Sequence, residues 1–446
     1  MSMQDMLTNI EQQPDIKKIN KRLRHAYRLM LTSRFLDEKQ LRLLKQGKSF
    51  FQIGGSGHEA AQVAAALALR HGYDWAFPYY RDQSFVLAYG ITIRELLLAA
   101  LHRADDPATG SRQMPCHWGK QSARIASQSS PTGTQFLQAV GTALAIKKEK
   151  VDEVVYVSSG EGATSEGEFF EAVNWAARES LPVIFFIQDN KYAISVPVAL
   201  QTAGGSVFEA TRGFAGLHRI ECDGTDFYQT FSSMESAIQL ARTGKGPSLI
   251  LAHVVRLLPH SSSDDHKKYR SEEELERDKL RDPIPRFSRS LIEMGILIEQ
   301  EDAELKNEVK REIEFESEWA EKQRLPDPST VSLHLYGAAH EMTSKKEIPP
   351  VRTGSSVVMV DAINHALDEE LNRNQKIVIF GEDIADKKGG VFTATKGLST
   401  KFGTTRVFNS PLAEASIVGV AIGMAFKGWK PVVEIQFGDY IWPAFM

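Results

Sequence analysis

The stretch VVYVSSGEGATSEGEFFEAVNWAARESLPVIFFIQDNKYAIS, residues 154–195, decides the fold of this chain. Its two β-branched and aromatic runs, at 154–157 and 183–187, flank an amphipathic segment at 169–178. Short apolar runs that alternate with helical patterns are typical of parallel strands buried on both faces. A further run at 249–255 predicts another strand of the same sheet. The predicted fold class is therefore α/β, with a parallel sheet flanked by helices.

The remaining chain divides around this core. Apolar residues at helical spacing predict an amphipathic helix over 18–47, and charged helices are expected over 271–324. We assign residues 1–324 to a first unit and the Pro-bearing, aperiodic residues 325–354 to a linker. A second α/β unit is expected over 355–446, and it ends after fewer residues than such a unit normally needs.

Composition excludes several classes of protein. The 446 residues carry 53 Lys and Arg against 57 Asp and Glu, a net charge of −4, so no overall basic excess favours nucleic acid or an anionic membrane. The first twenty residues lack the apolar core of a secretory signal, which predicts a cytoplasmic protein. The two cysteines, Cys116 and Cys222, are expected to be buried and reduced.

A glycine-rich turn follows the first predicted strand of the core. Gly160-Glu161-Gly162 opens a helix, and backbone amides at such a turn can approach a phosphate. A dinucleotide fingerprint would need a glycine where Ser165 stands and an acidic residue closing a second strand about twenty residues on, where Leu181-Pro182 stands. A nicotinamide oxidoreductase is therefore disfavoured.

Polar side chains also follow the next strand. Asn190 lies at its carboxyl end, and adjacent parallel strands bring their carboxyl-end loops to one crevice. Glu161 and Asn190 are therefore expected to converge. A carboxylate, an amide oxygen and a backbone carbonyl suit Mg²⁺ carrying a diphosphate, whereas zinc prefers nitrogen and sulfur ligands.

This pair of motifs resembles the thiamine-diphosphate motif, in which Gly-Asp/Glu-Gly is followed at the next strand by Asn-Asn or Asp-Asn. Residues from about 20 to 335 resemble alpha chains of the decarboxylating component of 2-oxo acid dehydrogenase complexes. The blocks that carry this resemblance are, in order, His58-Glu59-Ala60, Tyr80-Arg81-Asp82, residues 110–117, Ser129-Ser130-Pro131, Thr134-Gln135, residues 160–168, residues 192–195 and residues 260–265.

The second unit resembles the beginning of the matching beta chain, the pyrimidine-binding part. The chain therefore resembles an alpha-beta fusion that stops within the beta part. The blocks are residues 380–383, 389–392, 397–398, 406–408, 411–414, 417–419 and 434–445.

The resemblance implies roles for individual residues. Glu161, Asn190 and the Tyr192 carbonyl would hold Mg²⁺, and His260 and Glu414 would be catalytic. His260 would orient the substrate, and Glu414 would contact the aminopyrimidine ring of the cofactor. Other expected cofactor contacts are Tyr80, Arg81, Ser130, Gly162, Ala163, Gln188, Arg256 and Tyr440, and a K⁺ site would use Ser129, Pro131, Thr134 and Gln135. Gln188 and Asp189 stand where the family often has Arg and Asn.

The implied activity is thiamine-diphosphate-dependent decarboxylation of a 2-oxo acid, with acyl transfer to a lipoyl group of a partner acyltransferase. Residues 110–115, residues 260–265 and Glu161 favour branched-chain substrates, with pyruvate or acetoin enzymes as the alternative. A dimer of fused chains is expected. Phosphate on Ser261 or Ser263 would repel an anionic substrate. A different hypothesis, based on the incomplete beta part, is a non-catalytic assembly fragment.

Overall fold

The computed structural model describes residues 14–335 and 356–445. Five of its strands form a parallel sheet in the order β1-β2-β3-β7-β6. The strands are β1 Trp75–Phe77, β2 Val155–Gly160, β3 Val183–Asp189, β4 Tyr192–Ala193, β5 Val196–Pro197, β6 His218–Asp223, β7 Ser248–His253, β8 Ile377–Gly381, β9 Val407–Asn409 and β10 Lys430–Glu434.

Helices cover both faces of this sheet. The helices of the described residues, in both units, are α1 Pro14–Lys45, α2 Glu59–Ala68, α3 Gln83–Ala88, α4 Ile93–Ala100, α5 Thr134–Glu149, α6 Gly167–Arg178, α7 Val198–Gln201, α8 Val207–Ala210, α9 Phe227–Arg242, α10 Glu272–Leu280, α11 Pro283–Glu293, α12 Glu299–Glu321, α13 Met359–Arg373, α14 Leu398–Phe402, α15 Glu414–Phe426 and α16 Ile441–Ala444.

Successive side chains of each strand contact helices on opposite faces of the sheet. Val157 in β2 pairs with Phe185 in β3, and both belong to the apolar cluster shared with α5 and α6. Tyr156 pairs with Ile184, and both belong to the cluster shared with α2 and α9. Successive side chains of a strand point to opposite faces, so a continuous apolar run is required when both faces are covered. The predicted α/β class with a helix-flanked parallel sheet is confirmed.

The second unit has its own parallel sheet, in the order β10-β8-β9. Its helix α15 packs on α5 of the first unit, and Thr142 Oγ1 donates to the Gly423 carbonyl at 2.9 Å. Phe380 of β8 meets Trp175 of α6 edge-on, with ring centroids 5.9 Å apart. The apolar core therefore continues from the first unit into the second.

Element boundaries differ from the predictions by a few residues. The helix predicted over 18–47 is α1, and the charged segment 271–324 contains α10, α11 and α12. Residues 336–354 of the expected linker, and the first thirteen residues, lie outside the described residues. Both cysteines are free and buried, as expected. None of the helices in the described ranges is both long and apolar enough to cross a membrane.

Candidate active site

A cavity of about 390 Å³ lies at the carboxyl ends of β2 and β3. This volume falls in the range of small-molecule sites, roughly 300–1,000 Å³. Most of the residues proposed from the sequence border it. They are Tyr80, Arg81, Ser129, Ser130, Pro131, Gln135, Glu161, Gly162, Ala163, Asn190, Tyr192 and His260.

Glu161 and Asn190 meet at the floor of this cavity. Glu161 begins a single 3-10 turn directly after β2, and its Oε2 accepts the backbone N–H of Asn190 at 3.2 Å. An added Cβ at Gly162 would lie 2.6 Å from the Ala193 Cβ, so the approach of the two loops requires glycine there. Parallel adjacency of β2 and β3 thus brings the two motifs together.

The Glu161 carboxyl group fits a bound cation. Its side chain is 1% exposed, and Oε1 has no hydrogen-bond partner among the described residues. Burial, and then the nearby Asp189 carboxylate, raise the pKa of Glu161 to about 7. No group of three or more His, Cys, Asp or Glu in the described part of the chain could hold a metal. A cation here would therefore depend on one carboxylate with amide and carbonyl oxygens, a donor set suited to a hard ion.

Arg81 supplies positive charge in the cavity wall. It is 2% exposed, and its guanidinium donates to the Gly54 carbonyl at 2.6 Å and to the His260 carbonyl at 3.2 Å. Both partners are neutral acceptors, so the charge of the buried guanidinium stays uncompensated by them. A buried cation without a carboxylate partner is suited to an anionic ligand.

His260 lies beside Arg81. Arg81 Nη2 is 3.3 Å from His260 Nδ1, and guanidinium groups only donate, so Nδ1 is the acceptor and the proton lies on Nε2. Burial, followed by Arg81 and Arg256, lowers the pKa of His260 to about 4. The imidazole is therefore neutral near pH 7. Asp264 Oδ2 fixes the backbone by accepting the His260 N–H at 2.7 Å.

Arg256 does not border the cavity. It is buried, and it donates to the Ile194 carbonyl at 3.0 Å and to the Tyr269 hydroxyl at 2.7 Å. Among the described residues its Nε has no partner. Arg256 therefore holds the loop that follows Tyr192, and its contact with a diphosphate stays a prediction.

Gln188 also departs from the sequence-based expectation. It is completely buried and contacts His58, Gln62 and Asp82 instead of bordering the cavity. Alternation along β3 places Gln188 on the face opposite Ile187, where its partners His58 and Gln62 lie. Asn190 follows the last residue of β3, Asp189, so alternation no longer fixes its direction, and its side chain borders the cavity.

The proposed potassium loop is closed by its own hydrogen bonds. Ser129 Oγ lies 2.6 Å from Thr134 Oγ1, and Thr134 Oγ1 donates to the Pro131 carbonyl at 3.3 Å. Gln135 Nε2 donates to the Ser158 carbonyl at 3.2 Å. Thr134 does not border the cavity. Potassium binding stays a prediction.

Glu414 and Tyr440 lie in the second unit and do not border this cavity. Glu414 begins α15, and its charge is near Glu382, which raises the pKa of the Glu382 carboxyl after the larger effect of burial. Tyr440 is 47% exposed. Within one chain, the structure does not bring the two expected pyrimidine contacts to Glu161.

Comparison with known proteins explains this arrangement of motifs. The family model "Dehydrogenase E1 component" matches residues 27–329, which is more than half of the chain. The chain belongs to the dehydrogenase E1 component family. A second model, "Transketolase, pyrimidine binding domain", matches residues 355–446. The resemblance drawn from the sequence is confirmed, and both families depend on thiamine diphosphate.

Relatives in the E1 family are oxidoreductases. The chain is 39% identical over 310 residues to the 2-oxoisovalerate dehydrogenase subunit alpha of Bacillus subtilis, covering 70% of this chain and 94% of the relative. It is 32% identical over 358 residues to the subunit of the same name from Pseudomonas aeruginosa, covering 80% of this chain and 81% of that one. The 3-methyl-2-oxobutanoate dehydrogenase subunit alpha of Mycobacterium tuberculosis is 39% identical over 276 residues, which is 61% of this chain and 71% of the relative.

Sequence reasoning missed a buried polar cluster next to the cavity at the carboxyl ends of β2 and β3. This cluster comprises Asp37, His58, Gln62, Asp82, Gln83, Ser158 and Gln188, joined by side-chain hydrogen bonds or adjacent in sequence. One sequence signal could have found it: polar residues at core-facing positions of apolar helices and strands. Gln62, among the alanines of α2, is an example.

Asp37 gives this cluster a pH dependence. Burial raises its pKa to about 7 from an unfolded value of 3.8. The folded state therefore binds more protons between these values, and stability falls as the pH rises through this window. Between pH 5 and pH 8, the unfolding free energy of the original chain should fall by about 2–3 kcal/mol more than that of Asp37→Asn. Urea denaturation at the two pH values measures both. Equal pH dependence in both proteins would contradict this assignment.

Proposed function

We propose that this chain catalyses the thiamine-diphosphate-dependent oxidative decarboxylation of branched-chain 2-oxo acids and transfers the acyl group to a lipoyl group of a partner acyltransferase. The observation that carries the proposal is the meeting of Glu161 and Asn190 beneath Arg81 and His260 in one cavity. The names of the relatives support the substrate class.

The residues present fit the cofactor. Mg²⁺ would be held by Glu161, Asn190 and the Tyr192 carbonyl. The Glu161 Oε1 atom has no hydrogen-bond partner among the described residues and is therefore free to bind a cation. Arg81 and Tyr80, which border the same cavity, would face the diphosphate, and Gly162 would leave room for its approach. When bound, thiamine diphosphate supplies the electron sink for loss of CO₂.

His260 would position the substrate. The neutral imidazole holds a proton at Nε2, which could donate a hydrogen bond to a developing negative charge. Ile194 and Val196 contribute apolar surface to the cavity, which disfavours water near a reacting carboxylate.

We propose that two chains complete the site. Glu414 and Tyr440 are separated from the cavity of their own chain, and large apolar side chains beside them, including Leu412 and Trp442, are 82% and 72% exposed. A second copy that covers this surface would place Glu414 of the partner subunit against the aminopyrimidine ring. The partner's glutamate would share a proton with that ring.

Decarboxylation of 3-methyl-2-oxobutanoate and pyruvate, compared at equal concentrations with thiamine diphosphate and Mg²⁺, tests the substrate assignment. We expect the branched substrate to give the larger kcat/KM, by roughly tenfold or more, because an apolar pocket discriminates by about 1–3 kcal/mol for each methylene group. A preference for pyruvate would overturn the branched-chain assignment. Cofactor binding without CO₂ release from any 2-oxo acid would favour the assembly-fragment hypothesis.

A further inference from the structure

Gln188 joins three separate segments of the first unit. Its Oε1 accepts from His58 Nδ1 at 2.8 Å and from Gln62 Nε2 at 2.9 Å, and its Nε2 donates to Asp82 Oδ1 at 2.6 Å. All four side chains are completely buried. Because the Gln188 amide is buried and makes all three hydrogen bonds, it fixes the relative positions of β3, α2 and the turn before α3.

These bonds hold Arg81 from both sides. Gln62 Nε2 donates to the Arg81 carbonyl at 3.0 Å, and Asp82, the next residue, accepts from Gln188 and from the Ser158 hydroxyl. Gln188 therefore bonds to Asp82, which follows Arg81, and to Gln62, which donates to the Arg81 carbonyl oxygen.

The direction of the Arg81 side chain depends on this backbone. Its guanidinium contacts the carbonyls of Gly54 and His260 and the His260 ring. None of these acceptors carries the charge of a carboxylate, which would fix a guanidinium fork more strongly. A small rotation of the turn would move the guanidinium away from the cavity wall.

We infer that Gln188 is a positioning residue: through Asp82 and Gln62 it holds the turn that aims Arg81 at the diphosphate, without itself touching the cofactor. The inference rests on the proposed role of Arg81 as a ligand of thiamine diphosphate. It replaces direct contact by Gln188, which its complete burial opposes.

Three variants of the full chain test this role. Gln188→Leu removes all three hydrogen bonds. Gln188→Glu alone sets two carboxylates against each other, because Asp82 Oδ1 faces position 188. The double variant Gln188→Glu/Asp82→Asn exchanges the groups of this pair. The amide introduced at position 82 would donate to the carboxylate introduced at position 188 and still accept from Ser158, so one buried carboxylate is retained.

We expect Gln188→Leu and Gln188→Glu to raise the apparent KM for thiamine diphosphate at least tenfold, with kcat at saturating cofactor changed less than threefold. The double variant should restore the KM to within threefold of the original. Gln40→Leu is the matched control, since Gln40 is a buried glutamine that bonds only to the Gln83 side chain among the described residues, and it should lose stability without changing the KM. An unchanged KM in Gln188→Leu, or a folded double variant as weak as Gln188→Leu, would overturn the inference.

Hydrogen exchange of the cofactor-free chain separates this inference from the proposed function. Amides of residues 79–84 should exchange faster in Gln188→Leu than in the original chain, and at the original rate in the double variant. Unchanged exchange would overturn the positioning role. Failure of the original chain to bind thiamine diphosphate would instead overturn the proposed function, while the exchange result would still decide whether Gln188 holds the turn.

Discussion

Glu161→Ala is expected to weaken binding of thiamine diphosphate with Mg²⁺ by roughly 100-fold or more, since loss of one partner from a buried charge pair costs about 3–5 kcal/mol. Glu161 is the buried carboxylate that borders the cavity, and within the described ranges its Oε1 has no hydrogen-bond partner. Without it, the amide and carbonyl oxygens of Asn190 and Tyr192 retain no negative charge to hold a divalent ion. Isothermal titration of the chain with the cofactor and Mg²⁺ measures the change.

Two controls define this result. Glu166→Ala removes a second carboxylate that borders the same cavity, five positions along the chain, and should leave most of the affinity intact. Glu161→Asp keeps the charge on a shorter side chain and should retain binding within about tenfold. If Glu161→Ala bound the cofactor as tightly as Glu166→Ala, the assignment of the metal ligand would be wrong.

The second large effect is expected at the contact between α5 and α15. An added Cβ at Gly141 would lie 2.0 Å from the Val420 carbonyl oxygen, and one at Gly423 would lie 1.9 Å from the Gln138 carbonyl oxygen. Gly141→Ala and Gly423→Ala should each lower the unfolding free energy by about 3 kcal/mol, at the upper end of overpacking effects, because the clash is with backbone. Urea denaturation followed by tryptophan fluorescence measures it.

Helix propensity alone would make both glycine-to-alanine variants more stable, which is the opposite of the expected loss. Alanine is favoured over glycine in a helix interior by about 1 kcal/mol, so a net loss reports the close approach of the two helices. Gly167→Ala, at the first position of α6, is the control, because a Cβ there meets no described atom within 4 Å. If Gly141→Ala and Gly167→Ala had equal unfolding free energies, the close packing of α15 on α5 would be wrong.

Much of the site could be predicted from local pattern. The apolar runs of β2 and β3 and the glycine turn after β2 specify a crevice at one sheet edge, which is where Glu161 and Asn190 meet. The family resemblance predicts Tyr80, Arg81 and His260 as further site residues, and the structure places them at the same cavity. Those side chains lie far apart in sequence, so periodicity alone could not have joined them.

Gln188 and Arg256 have contacts that the family resemblance does not predict. The resemblance predicts both at the diphosphate, which stays untested, and in the described structure both are buried and neither borders the cavity. A motif states which residues follow a strand, but the face on which each side chain lies depends on strand register and on the partners behind it. His58, Gln62 and Asp82 are such partners for Gln188, and they come from different parts of the chain.

The sequence by itself determined the α/β class, the thiamine-diphosphate motif and the E1 family, because these depend on hydrophobic period and on short motifs with fixed order. Only the tertiary structure decided that Gln188 braces a turn, that Arg81 stands in the cavity without a carboxylate partner, and that Glu414 lies apart from Glu161 within one chain. These are properties of side-chain contacts between distant segments. Such contacts follow from how the elements pack in three dimensions, which no single stretch of sequence specifies.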